Sequence, residues 1–126
     1  MQKALIATAK GLIIYDFPQD KNPVLTDMSF VGFAVNMIYV DERTGRCWAG
    51  VSHKHWGQKL HYSDDQGQNW KEAALPSYDG ATFNDGKRAK LKQIWCMSHG
   101  GSDQPDVLWL GTEPGGLFKS IDGGES

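Results

Sequence analysis

Ser63-Asp64-Asp65-Gln66-Gly67-Gln68-Asn69-Trp70 reads S-x-D-x-G-x-x-W, and Ser120-Ile121-Asp122-Gly123-Gly124-Glu125-Ser126 repeats its first seven positions. A serine, an aspartate two residues on and a glycine two further on suit a hairpin turn. The short polar side chains bond the turn's backbone amides, and glycine takes a positive φ without steric penalty. The tryptophan three residues after the glycine opens a returning strand and brings a large apolar surface to bury. Leu60-His61-Tyr62 leads into the first copy and Trp70-Lys71-Glu72-Ala73 leads out, while Leu117-Phe118-Lys119 leads into the second. The pattern places a tryptophan next after Ser126, so the expectation is an N-terminal piece of a longer array.

The repeat reaches upstream of both turns. Cys47-Trp48-Ala49-Gly50-Val51 corresponds to Leu108-Trp109-Leu110-Gly111-Thr112, preceded by Met37-Ile38-Tyr39-Val40-Asp41 and Gln93-Ile94-Trp95-Cys96-Met97. The turns lie 57 residues apart (120 − 63) and the Trp-x-Gly strands 61 apart (109 − 48), the loops absorbing the difference. A weaker copy opens the chain, where Ala4–Thr8, Ala9-Lys10 and Gly11–Tyr15 form a hairpin without the Ser/Asp turn. Four short strands per unit, repeated at this period, mark a propeller blade. The predicted fold is therefore all-β, a partial β-propeller of about two and a half four-stranded antiparallel blades. Labelled A to D outward, blade 1 is partial over 1–30 with strands B, C and a D around Val24–Met28. Blade 2 spans 31–76, with D near 69–75, and blade 3 is partial over 91–126.

Composition sets limits on partners. A net charge of −2 without a basic cluster argues against a nucleic-acid surface. The apolar run Phe30–Val35 is far shorter than the roughly 20 residues a bilayer span needs. Lys10 interrupts the apolar N-terminus, which reads as a strand and not a secretion signal, making the cytoplasm the expected location. Cys47 and Cys96 are expected as two buried free thiols.

These residues resemble the bacterial BNR/Asp-box repeat propellers, the sialidase-like group often labelled glycosyl hydrolases. The resemblance rests on Thr8-Ala9-Lys10-Gly11-Leu12, on Ser52-His53-Lys54-His55-Trp56-Gly57-Gln58 before the first box, and on Ile94-Trp95. It extends to Gly111-Thr112-Glu113-Pro114-Gly115-Gly116-Leu117-Phe118-Lys119-Ser120, and so covers nearly the whole chain. It implies a carbohydrate-active protein, binding or cleaving glycans, with a non-catalytic protein-interaction scaffold as the alternative. It also implies that the boxes are structural, namely Ser63, Asp65, Gly67, Trp70, Ser120, Asp122 and Gly124. The functional face would be the opposite one, built from B–C and D–A loops. Sialidase chemistry is not expected. It needs three arginines clamping a carboxylate, and of Arg43, Arg46 and Arg88 the first two fall in an A–B turn on the other face.

On the loop face, His53, His55 and Trp56 are the candidate ligand contacts, since an aromatic ring stacks on a pyranose while polar donors orient its hydroxyls. Strict alternation would point His53 and His55 to one side. Asp79, Asp85 and Glu113 are the candidate carboxylates, with no spacing that singles out a catalytic pair. Two imidazoles without a third and fourth ligand do not make a zinc site, so no metal or cofactor is expected. The partners expected are a glycan or other small ligand on this face and the remaining blades of the same ring. The polar segment 77–90 is expected to border the channel mouth.

Overall fold

The computed structural model describes residues 2–78, 80–82 and 85–126, and over these the chain is all-β. The first sheet holds β1 (Gln2–Thr8), β2 (Gly11–Phe17) and β3 (Val24–Ser29). The second holds β4 (Ala34–Val40), β5 (Cys47–His53), β6 (Gly57–Ser63) and β7 (Lys71–Glu72), and the third β8 (Gln93–His99), β9 (Leu108–Glu113) and β10 (Gly116–Ser120). Their orders are β1-β2-β3, β4-β5-β6-β7 and β10-β9-β8. Every pairing is antiparallel and joins strands adjacent in sequence, so each sheet is a meander built from local turns, and none closes on itself. Among the described residues no helix is long and apolar enough to cross a membrane.

Two apolar layers hold the sheets together in chain order. Leu12 and Ile14 of the first sheet meet Val35, Ala49 and Val51 of the second. Met37, Trp48 and Leu60 of the second sheet meet Ile94, Leu108 and Leu110 of the third. The second sheet is thus covered on both faces, and β5 reads buried at every position from Cys47 to Val51. Its residues alternate as a strand requires. Ala49 and Val51 face the first sheet, and Trp48 faces the third. A Cβ on Gly50 would meet Ile94 at 3.5 Å, so the small residue lets the sheets approach.

The inner strands carry matching irregularities. The β4–β5 register passes over Asn36, and the β8–β9 register passes over Trp95. The extra residue of a bulge shifts the side-chain alternation by one. Val35 and Met37, two positions apart, accordingly enter opposite layers. In the third sheet Ile94 is fully buried against the second, whereas Trp95 is 57% exposed.

The far face of the third sheet has no other sheet against it among the described residues. This corrects the expectation of two buried thiols: Cys47 is buried, but Cys96, past the bulge, is exposed, and both are free. Leu117 lies open at 71% exposure, while Lys119 covers the half-buried Trp109 with its ammonium 5.3 Å from the ring. Phe118 points the other way, packing into the layer shared with the second sheet and meeting Tyr78 edge-on at 5.1 Å.

The strand expected near 69–75 is shorter, with two residues in β7 and a final bond from Ala73 N to the Leu60 carbonyl at 2.8 Å. Beyond it Ala74, Leu75 and Pro76 turn toward the third sheet, and proline has no N–H to continue a ladder.

Candidate functional site

The β5–β6 hairpin places most of the candidate residues. His53 pairs with Gly57, leaving Lys54, His55 and Trp56 as a three-residue loop, and Gly57 supplies the positive φ of 74° that such a loop requires. Trp56 stands in this loop 77% exposed. An open groove of about 530 Å³ runs beneath it, lined by Ala9, Phe33, Ser52, His53, His55 and Trp56 among others. Ala9 comes from the β1–β2 turn and Phe33 from the link between the first two sheets, so three chain segments converge at one end of the sheets. Gly32 N, which donates to the Lys10 carbonyl at 3.0 Å, ties the link to that turn.

A second groove of about 250 Å³ shares His53 and Trp56 as walls and adds Lys59, His61 and Glu72. Lys59 Nζ and Glu72 Oε1 form an ion pair at 3.0 Å across the β6–β7 edge. Beneath both grooves runs a stack of rings. Phe33 lies 4.5 Å from His53, His53 6.1 Å from His61, His61 4.9 Å from Phe30, and Phe30 5.2 Å from Trp70. The stack spans from the loop to the first S-x-D-x-G turn. His61 Nε2 is buried without a hydrogen-bond partner, and burial holds its pKa below the ordinary 6.5, with the Glu72 charge opposing in part. His61, Lys59 and Glu72 were missed as site residues in the sequence. The available signal was the strand period: residues 57, 59 and 61 of β6 oppose 53, 51 and 49 of β5 on one face.

The structure brings His53, His55 and Trp56 together. Strict alternation does not govern them, because β5 ends at His53 and His55 belongs to the turn. Glu113 is not brought to them. It closes β9 on the third sheet and lines neither groove. Asp79 lies outside the described residues. Thr82 bridges to Arg88, and Tyr78 Oη donates to the Pro114 carbonyl at 2.6 Å beside the β9–β10 turn. No cluster of three His, Cys, Asp or Glu side chains is arranged to hold a metal among the described residues.

The remaining arginines of the β4–β5 turn bind protein. Arg43 forks onto Asp41 at 3.0 and 2.8 Å and donates to the Gly101, Gln104 and Val107 carbonyls, joining the second sheet to the 100–107 loop of the third. That fork holds the Asp41 carboxyl below its usual range against the opposing effect of burial. Arg46 pairs with Asp64 at 2.7 Å and lies 4.3 Å over the Tyr62 ring.

The two S-x-D-x-G turns share one bonding scheme. Gly67 N donates to Ser63 Oγ at 2.9 Å, Ser63 Oγ to Asp65 Oδ1 at 2.7 Å, and Asn69 N to Asp65 Oδ1 at 2.8 Å. In the second turn the matching bonds are Gly124 N to Ser120 Oγ at 2.9 Å, Ser120 Oγ to Asp122 Oδ1 at 2.8 Å, and Ser126 N to Asp122 Oδ1 at 2.9 Å. The Ser63 hydroxyl and the Asn69 amide hold the Asp65 carboxyl, and the Ser126 hydroxyl and amide with the Ser120 hydroxyl hold the Asp122 carboxyl, each at a pKa of about 2. Both aspartates are therefore consumed by their turns. Compared with protein-family models and with curated proteins, the chain matches none.

Proposed function

We propose that the three sheets are consecutive blades of an Asp-box β-propeller of the BNR, sialidase-like kind, and that the grooves around Trp56 bind a glycan. The matching turns, the matching bulges and the stacking of the sheets in chain order support the propeller. The observation that carries the binding reading is an indole 77% exposed above a groove of about 530 Å³ walled by two imidazoles, a serine and a lysine. A flat apolar ring offers a stacking surface to a pyranose, and the surrounding donors and acceptors orient its hydroxyls.

Binding is favoured over hydrolysis by what lines the grooves. Cleavage by the common glycosidase route needs two carboxyl groups flanking one bond. Among the described residues, Glu72 is the single carboxylate lining them and is paired to Lys59, and neither groove is lined by arginine. The test is a glycan array on the protein and on Trp56→Ala and His55→Ala. Glycans retained by the parent and lost by both variants support the reading. A blank array, with a protein partner captured through the same face, favours the interaction scaffold instead.

A further inference from the structure

The stretch Gly86-Lys87-Arg88-Ala89-Lys90-Leu91-Lys92 sets four cations among seven residues, against the single carboxylate of Asp85 before it. It corrects the expectation of a chain without a basic cluster, because the net charge of −2 averages over acids that stand elsewhere. The structure fixes how the run is presented. Arg88 forms an antiparallel bridge with Thr82, and Ala89 N donates to the Ala81 carbonyl at 2.9 Å. Leu91 packs against the apolar layer between the second and third sheets, and Lys92 N donates to the Glu113 carbonyl at 2.8 Å. Ala89 and Leu91 are accordingly half-buried, whereas Lys87, Arg88, Lys90 and Lys92 are exposed. Lys87 reaches Asp85 only at 3.9 Å, with 81% of its side chain exposed. Among the described residues, Arg88 and Lys90 belong to no ion pair. Through Lys92 the run joins the start of the β9–β10 turn, the counterpart in the third sheet of the β5–β6 loop that carries Trp56.

We propose that Lys87, Arg88, Lys90 and Lys92 form a binding site for an anionic polysaccharide, a linear chain bearing sulfate or carboxylate groups. A guanidinium takes either group in a bidentate fork, and the ammonium ions add point charges along the chain. The Leu91 anchor and the backbone bonds hold the cations in place beforehand, which lowers the ordering cost of binding. A nucleic acid is the poorer match. Residues 85–92 include no aromatic ring on which a base could stack. Four cations are also fewer than the roughly 6–10 phosphate contacts that secure a protein on DNA. The choice of a sugar polymer over other polyanions rests on the glycan reading of the Trp56 loop, but the cations themselves line neither groove.

The test is binding of the protein to immobilised heparin, polygalacturonate, neutral dextran and oligothymidylate over a series of salt concentrations. The expected result is saturable binding to heparin, to polygalacturonate or to both, and none to dextran. Binding to heparin alone assigns the sulfate group, and binding to polygalacturonate the carboxylate. Arg88→Ser/Lys90→Ser should weaken the binding at low salt by at least about tenfold and make its salt dependence shallower by about 1–2 in log–log slope. Lys21→Ser/Lys71→Ser removes the same charge from exposed positions elsewhere and should leave the binding unchanged. Failure to bind either polyanion, equal loss in the two double variants, or undiminished binding by Arg88→Ser/Lys90→Ser overturns the proposal. Oligothymidylate bound as tightly as the polysaccharides overturns it too, in favour of a nucleic-acid site. Polysaccharide binding that persists when the glycan array is blank refutes the Trp56 grooves and leaves this site standing.

Discussion

Gly67→Ala tests whether the first S-x-D-x-G turn is seated on the first sheet. Gly67 has φ of 89°, and a Cβ there would fall 2.8 Å from Ile14 Cδ1. Holding a side chain in left-handed backbone costs about 1–2 kcal/mol. Pressing a methyl into the packed Ile14 adds about 1 kcal/mol or more, as overpacking does. The expected destabilisation is therefore about 2–3 kcal/mol. The second part is removable, because the atom in the way is the terminal methyl that valine lacks. Ile14→Val alone should cost about 0.5–1.5 kcal/mol. In the double variant the clash is gone, so its cost should fall short of the sum of the two by about 1 kcal/mol. Urea unfolding of the four proteins, with slopes held equal, gives the coupling directly. Additivity within about 0.3–0.5 kcal/mol would mean that the turn does not press on Ile14 and would refute the argument.

Gly124→Ala should be costlier than Gly67→Ala, because its Cβ would come within 2.5 Å of Trp48 Cη2, part of a rigid, buried ring that no single truncation relieves; equal costs in the same urea assay would contradict this. Burial lowers the folded pKa of His61, so the native state binds fewer protons than the unfolded chain below pH 6.5. The His61 contribution is complete above that pH and should be lost as pH falls from 6.5 toward the folded value. His61→Phe, which keeps a ring in the stack, should flatten this part of a melting-temperature profile, with His53, Lys59 and Glu72 unchanged. Arg43→Lys keeps the charge but loses the fork. Hydrogen exchange should then quicken in residues 100–107, whose carbonyls Arg43 holds, and unchanged protection there would show that the loop stands without it.

Strand order and turn position were legible because they rest on local chemistry. The spacing of serine, aspartate and glycine demands a particular turn, and the Trp-x-Gly strand recurs with it. The sheets observed start and stop within a few residues of those expectations, apart from the shortened β7. The candidate loop was legible for the same reason, since His53 to Gly57 are contiguous. What contiguity cannot show is which face a side chain takes after a bulge. Asn36 and Trp95 look like ordinary strand residues, yet each shifts the alternation behind it. Met37 is thereby turned away from Val35, and Cys96 comes to an open face instead of a core.

By itself the sequence determined a repeat of antiparallel hairpins, because turn chemistry and the strand period act between residues a few positions apart. The tertiary structure alone decided that His61 joins Phe30 and His53 in one stack, that Glu113 stands apart from them, and that Arg43 holds the carbonyls of the 100–107 loop. Those outcomes depend on how three sheets pack face to face, and the volumes that fix that packing come from residues scattered over most of the chain.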